Sequence, residues 1–157
     1  MEILIREMGE EDYPFLADFL YNAVYVPEGA KKPPASITDL PQLQVYIRDF
    51  GKSVHDIGLV AVTDGRPAGA VWARIMNDYG HIDDETPSLV LSVFREYRGN
   101  GIGTALLDEM IARLRTAGYA GVSLSVQKAN YAVHIYQKAG FFIADENEEE
   151  YIMALRL

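Results

Sequence analysis

The sequence predicts an α/β (α+β) protein built around one mixed, mostly antiparallel sheet of about six to seven strands, flanked by about four helices. Short apolar segments bounded by turn residues are typical of strands. Asp64-Gly65 lies between two such segments and predicts a β-hairpin. The passage from strand to helix to strand over residues 88–126 predicts one parallel pair. The expected order is β-α-α-β-β-β-α-β-α-β-β.

The first third of the chain predicts a strand, two helices and a long connection. Residues 2–7 alternate as a short strand does. A helix is expected to follow and to end before Pro27, because apolar residues recur at helical spacing at Phe15, Leu16, Phe19, Leu20 and Val24. The proline-rich segment 27–36 predicts a loop, and residues 38–49 predict a second short helix.

The remaining elements follow from the same patterns. Strands are predicted at 57–63, 67–76, 88–94, 122–126, 141–144 and 151–155. A helix after Gly103 is expected to end at Ala117-Gly118, and another over 130–139 is expected to end at Gly140. Phe141 and Phe142 are both expected in the core.

Composition limits the classes of function. The 157 residues predict one domain spanning 1–157. The absence of cysteine excludes disulfides, Cys-type zinc sites and a thiol nucleophile, and it fits a cytoplasmic location. A net charge of −9 argues against a nucleic-acid partner. No apolar run approaches the ~18–20 residues of a membrane span, so no membrane partner is expected.

The segment Arg98-Gly99-Asn100-Gly101-Ile102-Gly103 joins a strand to a helix. Such a turn exposes successive backbone N–H groups at a helix N-terminus, which predicts a phosphate or pyrophosphate site. It is not a Walker loop, because Thr104-Ala105 follows Gly103. It is not a dinucleotide fingerprint either, because position 104 lacks the third glycine. A glycine-rich turn without any ligand is the remaining alternative.

At these residues the sequence resembles the GCN5-related N-acetyltransferase (GNAT) family. The family's Arg/Gln-x-x-Gly-x-Gly/Ala signature is matched by Arg98 to Gly103. A second block from Asn130 to Phe141 resembles the family's Asn-…-Ala-…-Leu-Tyr-x-x-x-Gly-Phe, with Ile135 in place of the usual leucine. The specific match covers about residues 88–145, and the N-terminal half agrees only in its order of elements.

The resemblance implies a GNAT-like twisted sheet and an enzyme that transfers an acetyl group from acetyl-CoA to the primary amine of a small molecule or peptide. The absence of cysteine and of a Gly-x-Ser-x-Gly elbow leaves direct attack by the amine in a ternary complex as the remaining route. Backbone amides of the turn would hold the CoA pyrophosphate, the Val93 N–H would polarise the thioester carbonyl, and Tyr136 would protonate the departing thiolate. The implied cofactor-binding residues are Leu91, Val93, Arg98, Gly99, Asn100, Gly101, Ile102, Gly103, Thr104 and Asn130.

The general base and the acceptor site are less well defined by the sequence. The resemblance places an acidic base near His81–Glu85, and Glu85 is our choice. A solvated loop is the commonest form of such a run, and its spacing does not suit metal ligands, so no metal is expected. The resemblance also implies that the segment 21–34 lines the acceptor side, with Tyr25 and Glu28 as candidate substrate-binding residues.

Several alternatives remain open at this point. Tyr136 could be a core aromatic, and Asn130 could cap a helix as well as bind CoA. The protein could bind CoA as a sensor or regulator without transferase activity, or bind a different phosphate ligand. An exposed C-terminal strand could pair with a second copy to form a homodimer.

Overall fold

A computed structural model describes residues 2–157 as a seven-stranded sheet with helices on both faces. The strand order is β1-β2-β3-β4-β5-β7-β6. The strands are β1 (Leu4–Glu7), β2 (Ile57–Thr63), β3 (Arg66–Arg74), β4 (Ser88–Val93), β5 (Gly121–Gln127), β6 (Phe142–Glu146) and β7 (Glu150–Arg156).

The helices complete the expected order of elements. They are α1 (Leu16–Ala23), α2 (Pro41–Gln44), α3 (Ile102–Thr116) and α4 (Ala132–Lys138). Short 3₁₀ helices cover Glu10–Phe15, Ala35–Asp39 and Arg95–Tyr97. The predicted fold class and the predicted order are therefore confirmed.

The predicted helix over 38–49 is wrong in its extent. A 3₁₀ helix ends at Asp39, and Leu40 then adopts an extended conformation with φ −62° and ψ 139°. The following Pro41 explains this break, because a proline ring disfavours the α conformation of the residue before it. Pro41 begins a new helix that ends at Gln44.

Asp64 and Gly65 form the tight turn between β2 and β3. Their φ angles are +51° and +74°. Two successive residues with positive φ define the type I′ turn that joins hairpin strands. The predicted hairpin is confirmed.

The sheet opens between β4 and β5. Ser88 lies opposite Ser123, and within residues 2–157 this is the single register pair that joins the two parallel strands. The Ser123 N–H donates to the Pro87 carbonyl at 3.0 Å. β5 then pairs along its length with β7 instead. The C-terminal half of β4 is left with an edge that faces a gap.

Two apolar cores hold the helices against the sheet. One face of α3 is buried against the sheet, through Ile102, Leu106, Leu107, Met110, Ile111 and Leu114. Each such side chain stabilises the fold by about 1.5–3 kcal/mol. On the opposite face, Leu16, Phe19 and Leu20 of α1 pack against Trp72. Both cores flank the open edge of β4 and fix its position.

Phe142 differs from the sequence prediction. Phe141 is buried, but Phe142 is 44% exposed. Phe142 belongs to the edge strand β6, and the Arg156 guanidinium lies 5.4 Å from its ring centroid. The cation–π contact explains how an aromatic ring is accommodated there without a core around it.

Among residues 2–157, no helix combines the length and the apolar character needed to cross a membrane.

Candidate active site

The Val93 N–H group faces the gap between β4 and β5. Val93 lies opposite Gly69 on β3, and the neighbouring Phe94 N–H donates to the Ala68 carbonyl at 2.9 Å. This pattern makes Gly69 and Val93 a non-hydrogen-bonded pair, so the backbone groups of Val93 point away from β3. Leu91, two residues earlier, has the same orientation. Both N–H groups therefore face the side from which β5 has separated.

The carbonyl of Val93 is already engaged. The Asn22 side-chain Nδ2 donates to it at 2.8 Å, and the Arg98 Nε donates at 3.0 Å. Asn22 Nδ2 also lies 3.0 Å from the Ser92 Oγ. These contacts fix the last residues of β4 between α1 and the glycine-rich turn.

The glycine-rich turn forms an anion-binding backbone. Gly99 and Gly101 have φ angles of +81° and +79°, a region that other residues adopt only with strain. The first intrahelical bond of α3 runs from the Ala105 N–H to the Gly101 carbonyl. The preceding N–H groups, from Ile102 to Thr104, have no helical carbonyl to donate to. Together with the helix dipole they favour a negatively charged group at this end of α3.

A cleft of about 510 Å³ runs beside this turn, and we call it the glycine-turn cleft. Its walls include the expected residues Leu91, Val93, Arg98, Gly99, Gly101, Ile102, Gly103, Thr104 and Asn130. Asn100 lies outside the lining, and its Nδ2 donates to the Tyr97 carbonyl at 3.0 Å. Arg98 and Lys138 contribute positive charge to the cleft. The cleft therefore presents backbone N–H groups and cationic side chains to the same bound ligand.

A second cleft of about 240 Å³ adjoins the first. We call it the tyrosine cleft, because Tyr25, Tyr46, Tyr79 and Tyr136 all line it. The two clefts share a wall made of Leu91, Asn130, Ala132 and Tyr136. Groups bound in the two clefts would therefore border the same four residues.

Tyr136 occupies the shared wall. Its side chain is only 6% exposed, and its ring packs against Phe141 with centroids 5.8 Å apart. Burial raises the pKa of the Tyr136 hydroxyl, which keeps the phenol protonated at neutral pH. A neutral phenol at this position is a hydrogen-bond and proton donor.

Asn130 caps the start of α4. Its Oδ1 accepts a hydrogen bond from the Ala132 N–H at 2.9 Å. The side chain also lines both clefts. Capping through Oδ1 and ligand binding through Nδ2 are geometrically compatible, because a side-chain amide donates and accepts through different atoms.

The three remaining predicted residues are placed differently. Tyr25 lines the tyrosine cleft, and its hydroxyl donates to the Ala129 carbonyl at 3.4 Å. Glu28 is exposed and lies outside the lining of both clefts. Glu85 is also exposed outside both, and its backbone N–H donates to the Asp83 Oδ1 at 2.9 Å. The structure brings Tyr25 to the site but not these two carboxylates.

The acidic run near Glu85 does not gather into a metal site. Among residues 2–157, no group of three His, Cys, Asp or Glu side chains is arranged to hold a metal ion. His81 instead makes a 2.8 Å contact from its Nδ1 to the Met76 carbonyl. Its Nε2 lies 3.4 Å from the Asp84 carboxylate.

A buried polar group lies behind the tyrosine cleft. Burial raises the pKa of Asp78, while the nearby Ser88 hydroxyl acts in the opposite direction. Burial and the negative charge of Asp78 also raise the pKa of Tyr46, which lines the cleft. Tyr46 therefore remains protonated, with a carboxyl group behind it.

Two charged residues of the clefts were not assigned from the sequence. Lys138 follows Tyr136 by one half-turn of α4 and lines the glycine-turn cleft. Glu150 begins β7 and lines the tyrosine cleft, because it pairs with Gln127 at the end of β5. The α4 pattern could have indicated Lys138. Glu150 depends on the pairing of β5 with β7, which a hairpin pattern alone does not define.

With this geometry established, the chain was compared with known proteins. A family model described as "Acetyltransferase (GNAT) family" matches residues 21–141. The chain belongs to this family. The GNAT resemblance carried by the two sequence blocks is confirmed.

Individual relatives agree with the family. The chain is 35% identical to a mycothiol acetyltransferase of Propionibacterium freudenreichii, with 88% of this chain and 51% of that protein covered. It thus spans about half the length of this curated relative. A GNAT acetyltransferase structure from Streptococcus pneumoniae superposes with a TM-score of 0.71 and 25% identity, covering 99% of this chain and 100% of that one.

A further GNAT fold superposes over both full chains. It is the PaiA N-acetyltransferase of Thermoplasma acidophilum in complex with coenzyme A, with a TM-score of 0.74 and 21% identity. The alignment covers 100% of each chain. At this identity the similarity confirms the GNAT architecture.

Proposed function

We propose that this protein is an N-acetyltransferase that moves the acetyl group of acetyl-CoA to the primary amine of a small molecule or peptide. One observation carries the proposal: the glycine-turn cleft and the tyrosine cleft meet at a wall formed by Tyr136 and the open edge of β4. Residues 1–157 would act as a single domain in the cytoplasm.

The glycine-turn cleft fits an anionic CoA moiety. The N–H groups at the start of α3 would hold the pyrophosphate, as in other anion sites at helix N-termini. Arg98 and Lys138 would oppose the charge of the phosphates. Acetyl-CoA supplies an acetyl group already activated as a thioester. The chain's net charge of −9 is compatible with this cofactor because Arg98 and Lys138 supply positive charge locally in the cleft.

Two groups of this chain would act on the reacting atoms. The Val93 N–H faces the gap and would donate to the carbonyl oxygen as negative charge develops there. One such donor contributes about 3–4 kcal/mol in other enzymes. Tyr136 would donate its phenolic proton to the leaving sulfur, and its raised pKa keeps that proton in place until it is needed.

The acceptor amine must be neutral when it attacks, so its proton must leave. Glu85 was predicted as the base; it is exposed and lies outside both clefts, so a role in removing this proton would require intervening water. Tyr25 lines the tyrosine cleft and would contact the acceptor directly, whereas the exposed Glu28 lies outside both clefts and would not. Direct transfer to the amine agrees with the absence of cysteine.

The test is an acceptor screen that measures release of free CoA from acetyl-CoA, with mass spectrometry of the acetylated product. We expect release that depends on both an amine and the intact protein. Tight binding of acetyl-CoA with no transfer to any amine of a broad panel would instead support the CoA-binding sensor. ATP or NAD binding in preference to acetyl-CoA would support a different phosphate ligand.

A homodimer is part of the proposal. The C-terminal strand β7 was expected to be exposed, but it lies between β5 and β6. The edge strand is β6, which exposes Phe142 and Ile143. An edge with exposed apolar side chains is suited to pairing with a second copy. Light scattering across a concentration series would report the dimer, and a monomer at all concentrations would contradict it.

A further inference from the structure

The charge that lines the tyrosine cleft is negative. Glu150 is the charged residue in its lining, and no Lys, Arg or His from residues 2–157 joins it there. A positively charged ligand would therefore meet a favourable potential in this cleft, and a carboxylate would meet an unfavourable one.

The Glu150 carboxylate is held in place but not neutralised. Its Oε1 accepts a hydrogen bond from the Gln127 Nε2 at 2.8 Å. Within residues 2–157 no cationic side chain lies within 4 Å of it. The adjacent Lys128 instead pairs with Glu146 at 2.7 Å and lies 5.1 Å from the Tyr151 ring centroid. Glu150 is thus a half-buried carboxylate that lacks a partner of opposite charge.

The rest of the cleft is suited to a small, mainly apolar body. Its volume of about 240 Å³ is smaller than the pockets that hold drug-sized ligands, which measure about 300–1,000 Å³. Leu20, Val24 and Leu43 line it beside the tyrosines. Aromatic rings also attract cations over their faces. These features favour a compact amine with a hydrocarbon body.

We infer that Glu150 selects a small cationic amine that carries no carboxylate beside its amino group. The free carboxylate of an α-amino acid would enter the cleft close to Glu150 without a cation to offset it. Desolvating two like charges together is costly. The corresponding decarboxylated amine has the same body and lacks this penalty. The inference rests on the proposed function, because it concerns the acceptor for that reaction.

The experiment compares matched acceptors that differ only in the carboxylate. The pairs are phenethylamine with phenylalanine and isoamylamine with leucine, measured by CoA release under identical conditions. We expect kcat/KM to favour each amine by about 100-fold, the range reached when like charges are brought together. Glu150→Gln should reduce that preference at least tenfold. Glu148→Gln, which removes an exposed carboxylate two residues away, should leave the preference unchanged.

Calorimetric titration in the presence of CoA makes the inference testable without turnover. The amine of each pair should bind more tightly than the amino acid, and Glu150→Gln should remove most of the difference. Equal kcat/KM and equal affinity of the unaltered protein for amine and amino acid would overturn the inference. The proposed acetyltransferase activity would not be affected by that result. An amine preference that survives Glu150→Gln would overturn the role of Glu150. Thermal unfolding would verify that both variants are folded.

Discussion

Asn22 on α1 donates its side-chain Nδ2 to the carbonyl of Val93 on β4 at 2.8 Å, across 71 residues of sequence. The same Nδ2 contacts the Ser92 Oγ. These bonds tie the first helix to the C-terminal end of β4. The N–H group of the same residue, Val93, faces the gap between β4 and β5. We regard Asn22 as a positioning residue for that N–H.

Asn22→Ala should lower kcat about tenfold with little change in the Kd for acetyl-CoA. The loss corresponds to about 1.4 kcal/mol, part of the contribution of a well-placed oxyanion donor. Steady-state kinetics and calorimetry would measure the two quantities. Asn77→Ala, at an exposed position, serves as the control. An equal rise in both KM and Kd without loss of kcat would contradict a role in positioning.

Tyr136→Phe should reduce kcat by about 10²–10⁴-fold, the usual contribution of a general acid, while CoA still binds. The phenyl ring preserves the packing against Phe141, so the variant should fold. Tyr119→Phe loses a hydroxyl that contacts His55 outside both clefts and should retain activity. An undiminished kcat for Tyr136→Phe across the pH range would remove Tyr136 as the acid.

The two ends of α3 offer a matched pair of glycines. Gly101 and Gly118 have φ angles of +79° and +91°, and a Cβ would meet no atom within 4 Å at either position. Alanine should therefore cost about 1 kcal/mol of stability at each, through backbone strain alone. Only Gly101→Ala should also weaken acetyl-CoA binding, because it changes the N–H groups beside the phosphate. Equal CoA affinities for the two variants would contradict the assigned site.

Asp12 holds the N-terminal strand to the first 3₁₀ helix. Arg6 donates to both of its carboxylate oxygens, at 2.6 and 2.9 Å, and the Gly9 N–H donates at 2.8 Å. Asp12→Asn should lower the free energy of unfolding by about 2 kcal/mol, since hydrogen bonds to charged groups are lost. The exposed Asp18→Asn is the control. Chemical denaturation would measure both.

The difference in free energy of unfolding between wild type and Asp12→Asn should depend on pH with a defined sign. The hydrogen bonds from Arg6 hold the pKa of Asp12 below its ordinary range of about 4. A carboxyl with a lowered folded pKa stabilises the protein fully above its unfolded pKa, and the contribution is lost as pH falls through the folded value. The difference in free energy of unfolding between wild type and Asp12→Asn should therefore be constant near neutral pH and become smaller in acid. A free-energy difference that increases in acid would contradict the ion pair.

The sequence predicted most of the fold because its signals are local. The glycines at 99 and 101 mark a turn of positive φ, and Asp64-Gly65 marks a type I′ hairpin. The break at Pro41 was not predicted, because the apolar spacing of 38–49 favours one helix although the proline restricts Leu40 to an extended conformation. Phe142 was assigned to the core because the edge position of β6 depends on strand order.

The cofactor side of the site was easier to predict than the acceptor side. Six residues between Arg98 and Thr104 line the glycine-turn cleft, so one contiguous motif identifies one of its walls. The tyrosine cleft is assembled from many separate elements: α1, α2 and the segment after it, the loop after β3, strands β4, β5 and β7, and helix α4. The family resemblance implied the segments that contain Glu85 and Glu28, whereas Glu150 reaches the cleft through pairing with Gln127. Such long-range pairing is not encoded in any single segment.

The wall shared by the two clefts has a thermodynamic consequence. Because Leu91, Asn130, Ala132 and Tyr136 border both, a molecule seated in the larger cleft would complete the boundary of the smaller one. Each ligand would then raise the affinity of the other by the same factor. Cooperativity between donor and acceptor would arise through these shared residues and would require no change in the conformation of the chain.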